Sequence, residues 1–356
     1  MDGRRNFHPC RTLGNLAGQR RTGHDQFHVL PDMLPLLPRS FHSTAVILAA
    51  GLLVAGCQDR GMATADSAVA TGDSLISPEP VKRVRFRVPT ESEITDPVIL
   101  ASVQRGRALL RHTRDSLPRH VGNQLQCVSC HPADGTQPNV MPWVGIYVRF
   151  PQYRARAGTT QLIEDRINDC FKRSMNGQPL VPESRDMRDI IAYFAFLSSG
   201  YPQFAQVEGQ SIPPVPPLEG DTVRALATFA TTCAACHGPE GLGTVLAPPL
   251  WGPQSFNIGA GMARVRTAAA FIKRAMPQNA PGTLSDQEAY DLARLMTSRP
   301  RPDLKGKELD WPNGDPPPDV AYPTLAAERR ARATAGAADA TGAARTDSAA
   351  RQPRSR

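Results

Sequence analysis

Apolar residues recur at steps of three and four in several stretches of the chain, and those stretches fall into two similar sets. In the first, Asp96 is placed to cap a helix with Pro97 at its first position, and Ile99, Val103 and Leu110 fall on one side. Met187, Ile190, Ile191, Phe194 and Leu197 make the stripe of a closing helix. In the second set, Asp221 caps a helix whose Val223, Leu226, Ala227 and Ala230 are expected to face a core. Ser285 and Glu288 form a capping box ahead of Ala289, Leu292, Ala293 and Met296. Between the members of each set lie a Trp-Gly loop, Trp143 to Gly145 and Trp251-Gly252, and a further helical segment. The pattern predicts a mostly α protein with two tandem domains, 93–200 and 220–300, joined by a Pro-rich linker at 201–219.

The flanks read differently. Residues 45–56 form an apolar run too short to span a bilayer, placed just before Cys57. Leu53 to Cys57 resembles the bacterial lipobox, in which the cysteine becomes the lipidated first residue; an ordinary signal peptide ending at a cysteine is the alternative. Residues 1–56 are therefore expected to be an N-terminal extension and lipoprotein signal, with Met33 and Arg39 framing a signal of normal length. Residues 57–92, rich in Ala, Ser, Thr and Pro, are expected to be a lipidated tether. Gln58 after the lipid cysteine favours an outer-membrane anchor facing the bacterial periplasm. Residues 301–356 read as a disordered basic tail.

Charge changes the picture little. The formal net charge is +8, but residues 1–56 hold six arginines against three aspartates, and 323–356 hold seven arginines against three acidic residues. About +1 is left for the middle of the chain, so a nucleic-acid partner is excluded. The 34 prolines and low aromatic share suit small, loop-rich domains that need a staple such as a large apolar cofactor.

Seven cysteines, at 10, 57, 127, 130, 170, 233 and 236, supply the candidate chemistry. Cys127 and Cys130 are followed at once by His131, and Cys233 and Cys236 by His237. In this pattern two thiols form thioethers with haem vinyl groups and the next side chain gives an axial nitrogen. A zinc site or redox dithiol would leave the adjacent histidines unexplained. The expectation is two covalently bound haems c, each with its iron, and the arrangement resembles two class I cytochrome c folds in tandem. Cys170 lies 39 residues after His131, and Met276 lies 39 after His237. The equal offsets nominate both as distal iron ligands. Met141, His112 and His120 are rivals in the first domain; Met262, Met296 and Lys273 are rivals in the second.

A helix is predicted over 160–174, with Ile163, Ile167 and Phe171 as its buried stripe. Arg166, Cys170 and Ser174 stack at steps of four on an adjacent face. A guanidinium beside a thiol favours the thiolate, the form that binds iron or attacks sulfur. The run from Trp143 through Ile146-Tyr147, Arg149 to Arg156, Glu164 to Phe171 and Arg173 to Gly177 resembles the periplasmic thiosulfate dehydrogenase family. The resemblance covers roughly 95–298. It implies a dihaem cytochrome that couples two thiosulfates into tetrathionate and passes electrons to a periplasmic or membrane acceptor such as a small cytochrome c. It further implies a His and Cys axial pair at the first haem, Cys170 as its distal ligand, and Arg156, Arg166, Ser174 and Gln178 lining the substrate pocket. Where some members carry a lysine beside the distal methionine, this chain has Ala275. The competing readings are a plain electron carrier, a tetrathionate reductase, or an oxidoreductase for another sulfur compound.

Overall fold

The computed structural model describes residues 82–334. The predicted signal, the lipobox with Cys57, and Cys10 lie outside the described residues. Among the described residues no helix is long and apolar enough to cross a membrane.

Six helices carry the two halves: α1 (Pro97–Arg111), α2 (Ile163–Arg173), α3 (Arg185–Phe196), α4 (Thr222–Thr228), α5 (Val265–Ala275) and α6 (Asp286–Ser298). The expected caps form. Asp96 Oδ1 accepts from the backbone N–H of Val98 at 2.7 Å, Asp221 Oδ1 accepts from that of Val223 at 2.7 Å, and Ser285 with Glu288 closes a capping box. Within each half the first helix crosses the closing helix, α1 on α3 and α4 on α6. The first crossing needs a glycine, because a Cβ on Gly106 would stand 1.9 Å from the carbonyl oxygen of Asp189. The closing stripes are core: Met187 and Ile190 in α3, and Ala289 and Ala293 in α6, have no exposed surface.

Two faces differ from expectation. In α1, Val103 and Leu110 are buried as expected, together with Gly106 and Leu109, but Ile99 is exposed. Val223, Leu226, Ala227 and Ala230 all lie at the surface, while Ala225 and Phe229 turn inward. The reason is geometric. Ala225 and Phe229, one helical turn apart, cluster with Leu292 and Leu295 of α6 and so fix the inward side; only Ala230 falls in the π turn, Phe229–Cys233, that follows Thr228.

Regular sheet is slight. Gln152–Arg154 pairs antiparallel with Thr159–Gln161, Tyr153 opposite Thr160. Arg83–Val84 pairs in parallel with Gln206–Val207. That second pairing brings residues 82–92 into the fold, where a loose tether was expected. The segment 201–219 is likewise packed: Val207 and Val215 are buried, and Gln210 Nε2 donates to the Val144 carbonyl.

The largest departure is the C-terminal segment. Residues 301–324, expected to be disordered, form a strap across both halves. Asp310 pairs with Arg173 of α2 through both carboxylate oxygens at 2.7 and 2.8 Å, and Tyr322 donates its hydroxyl to Asp310. Trp311 is buried beneath the Arg156 guanidinium, 4.6 Å from ring centre to carbon. Asp319 accepts from Arg264 Nε and from the backbone N–H of Arg266, giving α5 an N-terminal anion that its own sequence lacks. Burial of Trp311 and Tyr322 and the paired carboxylates supply what composition alone did not reveal.

Candidate haem and substrate site

His131 follows Cys127 and Cys130 into the wall of one cavity. Its Nδ1 meets the Met141 carbonyl, an acceptor only, so Nδ1 carries the proton and Nε2 keeps its lone pair for a metal. Burial pushes its pKa down to about 4, which keeps the ring neutral. The Trp143 ring lies 4.8 Å from the imidazole, over Gly135, where φ is +73° and a Cβ would stand 2.0 Å from the indole. Met141 is thereby a residue of the histidine's own wall, and neither His112 nor His120 lines the cavity.

Helix α2 and its C-cap present Arg166, Cys170 and Ser174 to the same cavity, and the buried Ile163, Ile167 and Phe171 supply part of its apolar wall. The cavity, about 230 Å³, is open on one side, and much of its lining is apolar. Two thiols beside a neutral imidazole in an apolar wall, with Cys170 lining the same cavity, fit the chemistry of haem c attachment.

The remaining wall is cationic. In the hairpin, alternation turns Gln152 and Arg154 into the cavity and leaves Tyr153 exposed. Arg149 joins them. Burial first, and then Arg166, lowers the pKa of both Arg149 and Arg154. Cys170 raises that of Arg166, whose Nη1 donates to Cys170 Sγ at 2.8 Å. Arg154 donates only to Gln152 Oε1, and none of the three forms an ion pair with a carboxylate among the described residues. Desolvated guanidiniums that make no direct ion pair with a carboxylate suit an anion site.

Two residues expected here are elsewhere. Arg156 lies one step beyond the strand and donates to the Gly259 carbonyl at 2.6 Å while stacking on Trp311. Gln178 is exposed and does not line the cavity. Arg149, Gln152 and Arg154 stand in their place; the period-two alternation of Gln152-Tyr153-Arg154 is the sequence signal that finds two of them.

The second half repeats the first wall. His237 Nδ1 meets the Pro248 carbonyl at 2.8 Å, and burial lowers its pKa. Trp251 covers Gly241, where φ is +65° and a Cβ would stand 2.1 Å from the indole. Met276 ends α5 half-buried, its N–H bonded to the Ile272 carbonyl, whereas Met262 and Met296 are buried core residues. Lys273 is held by the Leu284 carbonyl and by Asp286, on the N-terminal side of α6.

Comparison with known proteins follows these halves. Residues 119–203 match the SoxA/TsdA cytochrome c domain, and residues 221–296 match the cytochrome c oxidase, cbb3-type, subunit III family. A thiosulfate dehydrogenase from Psychrobacter arcticus is 42% identical over 261 residues, 71% of this chain and 79% of that protein. One from Allochromatium vinosum is 45% identical over 230 residues, 62% of this chain and 85% of its own. In solved structures, thiosulfate dehydrogenase (TsdBA) from Marichromatium purpuratum, as isolated, aligns with TM-score 0.59 and 33% identity. That alignment covers 62% of this chain and 50% of that one, so this chain spans about half of its length.

Proposed function

Because the chain belongs to the thiosulfate dehydrogenase family, we propose that it joins two thiosulfate dianions into one tetrathionate, releasing two electrons to an external acceptor. The observation that carries this reading is the set of guanidiniums without a carboxylate ion pair, Arg149, Arg154 and Arg166, gathered with Cys170 in one cavity, Arg166 donating to the Cys170 sulfur. A plain electron carrier has no use for them.

Cys127 and Cys130 would attach the first haem c, with His131 and Cys170 as axial ligands; Cys233 and Cys236 would attach the second, with His237 and Met276. The haems supply one-electron acceptance, two sites matching the two electrons of the coupling. The chain's own residues do the rest. Arg149 and Arg154 draw the dianions in and offset their mutual repulsion; Arg166 orients sulfur at Cys170; Gln152 and Ser174 add neutral hydrogen-bond donors at the wall. The apolar lining excludes water around the forming sulfur–sulfur bond. The CxxCH attachment pattern and the lipobox-like segment at Cys57 support a periplasmic, lipid-anchored enzyme that hands electrons to a small cytochrome c.

The test is thiosulfate-dependent ferricyanide reduction by the haem-loaded protein, with tetrathionate quantified. Two ferricyanides reduced and two thiosulfates consumed per tetrathionate is the expected stoichiometry. Redox-active haems with no tetrathionate would leave a carrier.

A further inference from the structure

One buried cation lies outside the substrate cavity. Arg301, just past α6, has its guanidinium carbon 4.3 Å from the centre of the Phe256 ring, and its Nη2 donates to the Met296 carbonyl at 2.5 Å. Its Nε and Nη1 are shielded from solvent and have no hydrogen-bond partner in the protein. Burial alone lowers its pKa, to about 10, with no carboxylate acting against it. Two unsatisfied donors on a buried cation are destabilising enough that a folded protein rarely keeps them without an anion.

The backbone fixes where that anion would lie. The Pro300 and Pro302 carbonyls accept from the N–H groups of Gly252 and Ile258, so Arg301 runs beside the 252–258 segment. That segment follows Leu250 and Trp251, which pack against the same apolar cluster as Cys233, and Pro248, whose carbonyl holds His237. Arg301 therefore lies along the chain that leads from the second attachment site, and it does not line the cavity of the first. A haem c brings two carboxylates of its own into such a site.

We infer that Arg301 binds a propionate of the second haem through Nε and Nη1, and so sets that haem's reduction potential. This rests on the second motif carrying a haem. A guanidinium offers two parallel donors to one carboxylate, and its charge favours the ferrous state of the iron nearby.

The experiment is optical potentiometry and resonance Raman spectroscopy on haem-loaded Arg301→Gln and Arg301→Lys proteins, after the haem-to-protein ratio has been measured. With two haems bound, Arg301→Gln is expected to shift the ferric-to-ferrous ratio of the Met-ligated haem toward ferric by on the order of tenfold, about 59 mV for one electron. Its propionate bending band should move as well, and the first haem should keep its potential. Arg301→Lys should restore much of the potential but not the band. Wild-type potential and band in Arg301→Gln, or a shift confined to the first haem, overturns the inference. If Arg301→Gln fails to fold, Arg301→Lys decides: an unmoved band there overturns it. One haem per chain, absent from the second motif, sinks the two-haem reading together with this inference; two haems with an unmoved potential sink this inference alone.

Discussion

The two halves share a plan and differ in one helix. Both have a capped first helix, a thiol pair, a histidine fixed by a carbonyl through Nδ1, a glycine beneath a tryptophan, and a closing helix. The helix facing the histidine sets them apart. In α5, Ala268, Ala269 and Ala270 are wholly buried and let the helix lie close along α6, so Met276 emerges only at its end. In α2 the face bearing Arg166 and Cys170 borders open space, and α2 meets α3 only slightly. Small residues bring the helices of the second half close together; in the first half a face bearing Arg166 and Cys170 borders the cavity instead.

Making the first half like the second should have the largest effect. Cys170→Gly, or Cys170→Met, is expected to lower turnover by on the order of 10⁴-fold while both haems stay attached, read by the tetrathionate assay and the haem-to-protein ratio. Arg166→Leu should lower kcat/KM for thiosulfate by on the order of 10³-fold with little change in Tm. Arg156→Leu should do the reverse, lowering Tm through loss of the Gly259 bond and the Trp311 stack. A loss in kcat/KM matching that of Arg166→Leu at unchanged Tm would return Arg156 to the substrate site.

Breaking the strap affects both halves together. Asp310→Ala leaves Arg173 buried without its partner and should cost about 3 kcal/mol in denaturant unfolding, with no separate transition for either half. The smallest effect belongs to the second half alone. Burial raises the pKa of Asp291, but Arg224, the Asp221 N–H and Gln287 outweigh it and hold the carboxyl below its ordinary 3.8. Its contribution is therefore present above that pH and lost as pH falls through the folded value. Asp291→Asn should cost about 2 kcal/mol near neutrality, and the gap to wild type should close below pH 3.8 in a Tm series.

What was legible in the sequence is what has a period or a fixed spacing. The attachment motifs, the stripes of α2, α3 and α6, and the caps at Asp96 and Asp221 all rest on neighbours within a few residues. The inward face of α4 differs from the expected one: Ala225 and Phe229, one turn apart, make the buried stripe, and of the expected residues only Ala230 lies within the π turn. Arg154 emerges only once the strand Gln152–Arg154 forms, because strand geometry sorts alternate residues of the arginine-rich run to opposite sides. The strap has no period. It is anchored by Asp310, Trp311, Asp319 and Tyr322, whose partners include Arg173, 137 residues from Asp310, and the still more distant Arg156, and no local pattern announces such pairings.

Asp319 lends its carboxylate to the start of α5, the helix that ends at Met276. Residues made late in translation thus complete a helix made earlier, and the second half is finished from behind. Both CxxCH motifs have left the ribosome before that closure can occur. A chain cut after α6, where the helical pattern alone would draw the domain edge, keeps every cysteine and both histidines yet loses this cap and the clasp on Arg173. The boundary of the fold lies beyond the boundary of its helices.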